Sequence, residues 1–124
     1  MSSFVREAVP NATIINFIHI PWPSPAYWLL LPSYIRDTIC KSLCQSDIVG
    51  FQCLRDAKAF LQTCDEFLPD AVVNFAEMSI ELEGHTTNVR VYPLSIDPSE
   101  LRRIADSSRS MDYEQRLQPL CLEN

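Results

Sequence analysis

The stretch Ala12-Thr13-Ile14-Ile15-Asn16-Phe17-Ile18-His19-Ile20-Pro21-Trp22-Pro23-Ser24-Pro25 decides the fold class. Residues 12–18 form a nearly unbroken apolar run rich in β-branched side chains, the pattern of a strand covered on both faces of a parallel sheet. His19 stands at the carboxyl end of that run. Pro21, Pro23 and Pro25 then remove backbone donors and fix φ, so the chain must leave the sheet as a stiff loop.

Working outward, residues 33–44 read as a helix with Ser33 as N-cap and Ile35, Ile39, Cys40, Leu43 and Cys44 on one face. Asp47-Ile48-Val49-Gly50-Phe51 reads as a short buried strand. A second helix over 53–67 places Leu54, Ala57, Phe60, Leu61, Cys64 and Leu68 at helical spacing, with Arg55, Asp56, Lys58 and Asp65 largely opposite, and Pro69 ends it. From 71 to 96 the period changes to two. Val72-Val73-Asn74-Phe75, Ile80-Glu81-Leu82-Glu83 and Val89-Arg90-Val91-Tyr92 read as strands, the first two as a hairpin. Asp97-Pro98-Ser99-Glu100 is a helix start, with an acid at the cap, proline at the first position and Glu100 three residues on. The helix it opens should run over about 98–106, and 111–122 reads as a further short helix after a polar break.

This order predicts an α/β fold, a partial Rossmann-like open sheet, mainly parallel with a β-hairpin. In such sheets ligands sit beyond the carboxyl ends of the strands, which points to His19, the proline loop and Leu94-Ser95-Ile96-Asp97. At 124 residues there is room for one domain, small for an enzyme that must hold two substrates.

A net charge of −6 argues against a partner dominated by nucleic-acid phosphates. The prolines interrupt the richest apolar region well short of the roughly 20 residues a membrane span needs, and residues 1–7 carry no signal-peptide core, so the expected compartment is the cytoplasm. Cys40, Cys44, Cys53, Cys64 and Cys121 are an odd set without a C-x-x-C pair and read as reduced thiols. Cys40 and Cys44 could join His19 or His85 around zinc, although their spacing favours buried helix-face cysteines. His85 reads as a solvated loop residue, and Asp65-Glu66 and Asp97/Glu100 as solvated or capping carboxylates. Trp22, Tyr27 and Trp28 could stack on a sugar, but beside prolines they read as packing residues.

Four segments together carry a resemblance: His19-Ile20-Pro21-Trp22-Pro23, Leu31-Pro32, Asp47-Ile48-Val49-Gly50-Phe51-Gln52, and Tyr92-Pro93-Leu94-Ser95-Ile96-Asp97-Pro98. In order and spacing they resemble the trehalose-6-phosphate synthase family, with Ala57-Lys58-Ala59-Phe60-Leu61 matching a further stretch. The similarity runs over about residues 4–106. It implies part of the N-terminal half of a GT-B fold, two Rossmann-like domains facing across a cleft. Residues 1–106 would belong to the acceptor-side domain, and 107–124 would be a polar tail or short helix leading to a nucleotide-binding domain.

The resemblance implies retaining transfer of glucose from UDP- or ADP-glucose to glucose 6-phosphate, with no cofactor, metal or nucleic acid. It makes His19 the substrate-binding residue, a contact to the donor glucose. The family's V-H-D-Y-H segment and its nucleotide-site residues have no counterpart here, so no complete catalytic set is expected and the chain should be inactive alone. Ser95 also replaces the family's glycine. The implied partners are the missing half of a split enzyme or a full-length relative. Rival readings are a non-catalytic sugar-phosphate-binding or regulatory module, and a synthase using another acceptor such as glycerol 3-phosphate. An open sheet edge and uncovered apolar faces further predict low solubility.

Overall fold

The fold is given by a computed structural model that describes residues 2–121. By packing, one compact unit ends at Pro93 and another begins at Leu94.

The first unit opens with a helix that no periodicity announces, α1 (Ser2–Ala8). It is held by polar reach rather than an apolar face. Arg6 Nη1 donates to the carbonyls of Pro10 (2.8 Å) and Ala12 (2.7 Å), and Nη2 pairs with Asp47 Oδ2 at 2.8 Å. The remaining elements are β1 (Ile15–Ile18), a one-turn helix α2 (Pro25–Trp28), α3 (Ser33–Leu43), β2 (Ile48–Phe51), α4 (Leu54–Phe67), β3 (Val72–Asn74), β4 (Ser79–Leu82) and β5 (His85–Val91). The cap of α3 is Pro32, so Ser33 is its first helical residue rather than its N-cap.

The strands lie in the order β1-β2-β5-β4-β3. β1 and β5 flank β2 in parallel, while β4 is antiparallel to both β5 and β3. Four of these five strands therefore run in one sense, and the mainly parallel α/β sheet is as expected. The predicted β3–β4 hairpin is present, and β4–β5 is a second one. Its turn, Glu83 (φ 52°) and Gly84 (φ 77°), has two residues at positive φ, the conformation that matches strand twist in tight hairpins. His85 is accordingly the first residue of a seven-residue strand and not a loop residue.

The core occupies one face of the sheet. Val49 and Phe51 of β2, Val89 of β5, and Ile80 and Leu82 of β4 meet Ala57, Phe60, Leu61, Cys64 and Leu68 from α4 and its C-cap. The other face carries Ile15, Arg90 and Tyr92, all exposed, with Phe17 and Ile48 half-buried. The double covering expected for residues 12–18 is thus not found: β1 lies at the sheet edge, and Ile15 is 61% exposed. Asp56, expected on the outer face of α4, is buried in its first turn, where a carboxylate complements the helix dipole and accepts from Arg55 Nε at 3.0 Å.

The second unit, taken by itself, contains α5 (Pro98–Ala105) and α6 (Ser108–Cys121). The cap is as read: Asp97 Oδ1 accepts from Ser99 N at 2.9 Å and Glu100 N at 3.3 Å. Ser107 performs the same task for α6, its hydroxyl accepting from Ser110 N, so that helix begins earlier than expected.

Candidate functional site

The carboxyl ends of the parallel strands β1, β2 and β5 converge on one edge of the first unit, and His19 follows immediately on β1. Its imidazole is exposed and stands edge-on to the Phe17 ring, centroids 4.7 Å apart at 68°. Phe17 in turn faces Tyr92, just beyond β5, at 6.4 Å. Between them runs β2, and the residue in register with Phe17 is Gly50. A Cβ at Gly50 would come 2.8 Å from Tyr92 Cδ2 and 3.0 Å from Phe17 Cδ2. The absence of a side chain at Gly50 is what lets the two rings close over β2 and brace the histidine.

These supporting residues were not singled out beside His19 by sequence reasoning, although Gly50 and Tyr92 lie in matched segments. The signal was there: a buried glycine inside a strand marks close approach of other atoms. An exposed neutral imidazole can donate or accept a hydrogen bond to a sugar hydroxyl without a metal.

The proline loop is anchored from below. Trp22 is buried against Trp28 (4.7 Å), Phe60 (5.0 Å) and Phe51 (6.0 Å), and its Nε1 donates to the buried Thr63 Oγ1 at 3.0 Å. Trp22 and Trp28 therefore pack, as expected, whereas Tyr27 is 67% exposed and does not. Tyr27 shares a surface concavity with Pro21, Pro23, Lys58 and Gln62 beside the loop.

His85 lies at the start of β5, at the opposite end of the parallel strands from His19, so the two cannot join one site. Its Nε2 is 3.1 Å from the Ser46 carbonyl and 3.9 Å from Asp47 Oδ1. Asp47 is a structural hub. The backbone N–H of Ile14, donating at 2.6 Å, holds its carboxyl below the usual range, with Arg6 and His85 adding to the effect. Cys40, Cys44 and Cys64 are buried, and among the described residues no group of histidines, cysteines and carboxylates is placed to hold a metal ion. Asp65 and Glu66 are solvated. The segment Leu94–Asp97 belongs to the second unit. No helix among the described residues is long and apolar enough to cross a membrane.

Comparison with known proteins gives this edge a context. The profile of Glycosyltransferase family 20 matches residues 1–122. Validamine 7-phosphate valienyltransferase of Streptomyces hygroscopicus subsp. jinggangensis is 38% identical over 99 residues, 80% of this chain and 20% of that protein. Trehalose-6-phosphate synthase of Escherichia coli is 34% identical over 101 residues, 82% of this chain and 20% of that protein. A solved structure of the E. coli protein bound with UDP-2-fluoro glucose superposes with a TM-score of 0.71 at 30% identity, covering 94% of this chain and 26% of that one. The chain thus spans about a fifth (20%) of the length of these curated relatives. With a family match over nearly all its residues, and a sheet that superposes on part of a GT-B-like fold, the chain belongs to Glycosyltransferase family 20.

Proposed function

We propose that this chain supplies the donor-sugar contact of a retaining glucosyltransferase that moves glucose from UDP- or ADP-glucose to glucose 6-phosphate, in trehalose biosynthesis in the cytoplasm. The observation that carries the reading is His19: an exposed imidazole at the carboxyl edge of a parallel sheet, braced by Phe17 and followed by an anchored proline loop. Its role is to hydrogen-bond the transferred glucose, while the rest of the cleft aligns the acceptor and stabilises the departing diphosphate. Those tasks fall to residues of a longer enzyme, a missing half or a full-length relative.

Two measurements test this. The purified chain alone, given UDP-glucose and glucose 6-phosphate, should form no disaccharide phosphate, and detected transfer would overturn the dependence on other segments. Residues 12–93 substituted for the matching segment of the E. coli synthase should support transfer, and His19→Ala in that chimera should cut kcat roughly a hundredfold, as loss of one transition-state contact does. An unchanged kcat would remove His19 from the reaction.

A second reading concerns the acceptor. The valienyltransferase is 38% identical to this chain and the trehalose-6-phosphate synthase 34%, so a different sugar-like phosphate is a rival to glucose 6-phosphate. Scanning acceptors with the chimera carrying residues up to 106 separates the two.

A further inference from the structure

Three thiols converge where α3 meets α4. Cys40 and Cys44 from α3 and its C-cap, and Cys64 from α4, are fully buried. Cys44 Sγ lies 3.9 Å from Cys64 Sγ, so the two sulfurs are already in contact across two different helices. Neither takes part in the sugar site. Cys44 is the helix-terminal residue of the cluster, where the backbone yields more readily than in the middle of a helix.

We propose that Cys44 and Cys64 are an oxidative modification site, forming an intrachain disulfide on reaction with a hydroperoxide. One thiolate attacks a peroxide oxygen, the O–O bond breaks and hydroxide leaves, giving a sulfenic acid. The second thiol attacks that sulfur: the S–S bond forms, the S–O bond breaks and water departs. Overall two thiols lose two electrons and two protons, and hydrogen peroxide becomes two waters. Cys64 is the resolving thiol. Hydrogen bonding with Cys40 and Cys44, reinforced by burial, pushes its pKa up, so it is not the thiolate that meets peroxide first, and its proton passes to the departing S–O oxygen as it attacks. The sulfurs must close from contact to about 2.05 Å.

All three cysteines are fully buried, so peroxide must reach them by local opening, and the end of α3 at Cys44 is where opening costs least. The bridge would close a loop that contains the whole of β2 and with it Gly50, so oxidation would stiffen the strand beneath His19.

The test uses the full chain carrying Cys53→Ser and Cys121→Ser, which leaves only the three cluster thiols. After hydrogen peroxide treatment and alkylation, non-reducing peptide mapping should find the Cys44 and Cys64 peptides joined and two hydrogen masses lighter, and dithiothreitol should separate them. Cys64→Ser should abolish the linkage, and Cys40→Ser should leave it, with far-UV circular dichroism confirming that each variant folds. A Cys40–Cys64 linkage, sulfinic acid without linkage, or only intermolecular products would each overturn the assignment.

Discussion

Thr63→Val removes one oxygen from beneath the proline loop and little else. Thr63 is fully buried, and its hydroxyl both accepts from Trp22 Nε1 (3.0 Å) and donates to the Ala59 carbonyl (2.7 Å). Valine has nearly the same shape, and the Ala59 carbonyl stays within α4, so what is lost is the acceptor for the indole. An N–H left unsatisfied in a buried site costs about 1–3 kcal/mol, and the better burial of a methyl group returns part of it. The expected net destabilisation is about 1–2 kcal/mol. Trp22→Phe removes the donor together with indole surface, and in the double variant no orphan remains. A double-mutant cycle in urea, followed by circular dichroism, should therefore show a coupling of about 1 kcal/mol between the two positions. Zero coupling, or a Thr63→Val midpoint equal to that of the parent, would mean that the loop is held by ring packing alone and that the hydrogen bond contributes nothing.

Two further outcomes follow from the same geometry. Asp47 has a folded-state pKa below its unfolded value near 3.9, so its stabilisation is complete above that value and is lost as pH falls through the lowered one. With the side chain 35% exposed, screening limits the effect to about 1 kcal/mol, and Asp47→Asn should flatten the decline in urea midpoint between about pH 5 and about pH 2; a decline as steep as the parent's would assign the acid sensitivity elsewhere. Gly50→Ala drives a methyl group into the Tyr92 and Phe17 rings, and overpacking of this kind costs about 1–3 kcal/mol. Because Tyr92 is exposed it can swing aside, so the diagnostic is the His19 ring-proton shift in NMR, which should move if Phe17 is displaced and stay put if only Tyr92 gives way.

Much of this was readable from the chain because several signals agreed. β-branched residues and prolines mark the first strand and its exit, and the period of α4 matches its buried face except at Leu54, which is 51% exposed, and Asp56, which is buried. What escaped has physical reasons. α1 buries only Ser2 and depends on Arg6 reaching the Gln45 carbonyl and the Asp47 carboxylate, both distant in sequence, which no local pattern reports. The first half of β5, His85-Thr86-Thr87-Asn88, is polar because Thr87 is buried as a hydrogen-bonding residue, 2.8 Å from the carbonyls of both Cys44 and Ser46. The brace around His19 required knowing that Phe17, Gly50 and Tyr92 come from three different strands or strand ends, a relation set by sheet order. His85, grouped with cysteines as a conceivable zinc ligand, is committed to Ser46 and Asp47 instead.

The order β1-β2-β5-β4-β3 divides the sheet into two kinds of closure. At one side β3, β4 and β5 are successive hairpin neighbours, joined by short turns that cost little chain entropy. At the other, β1 meets β2 only after α2 and α3 have been threaded between them, and β2 meets β5 only across α4 and the hairpins. Pairings between distant segments must meet their closure entropy before contacts repay it, and they dominate the slow part of folding. His19 follows directly on β1, an edge strand whose one neighbour is distant in the chain, so the proposed sugar contact belongs to the side of the sheet that is slower to assemble.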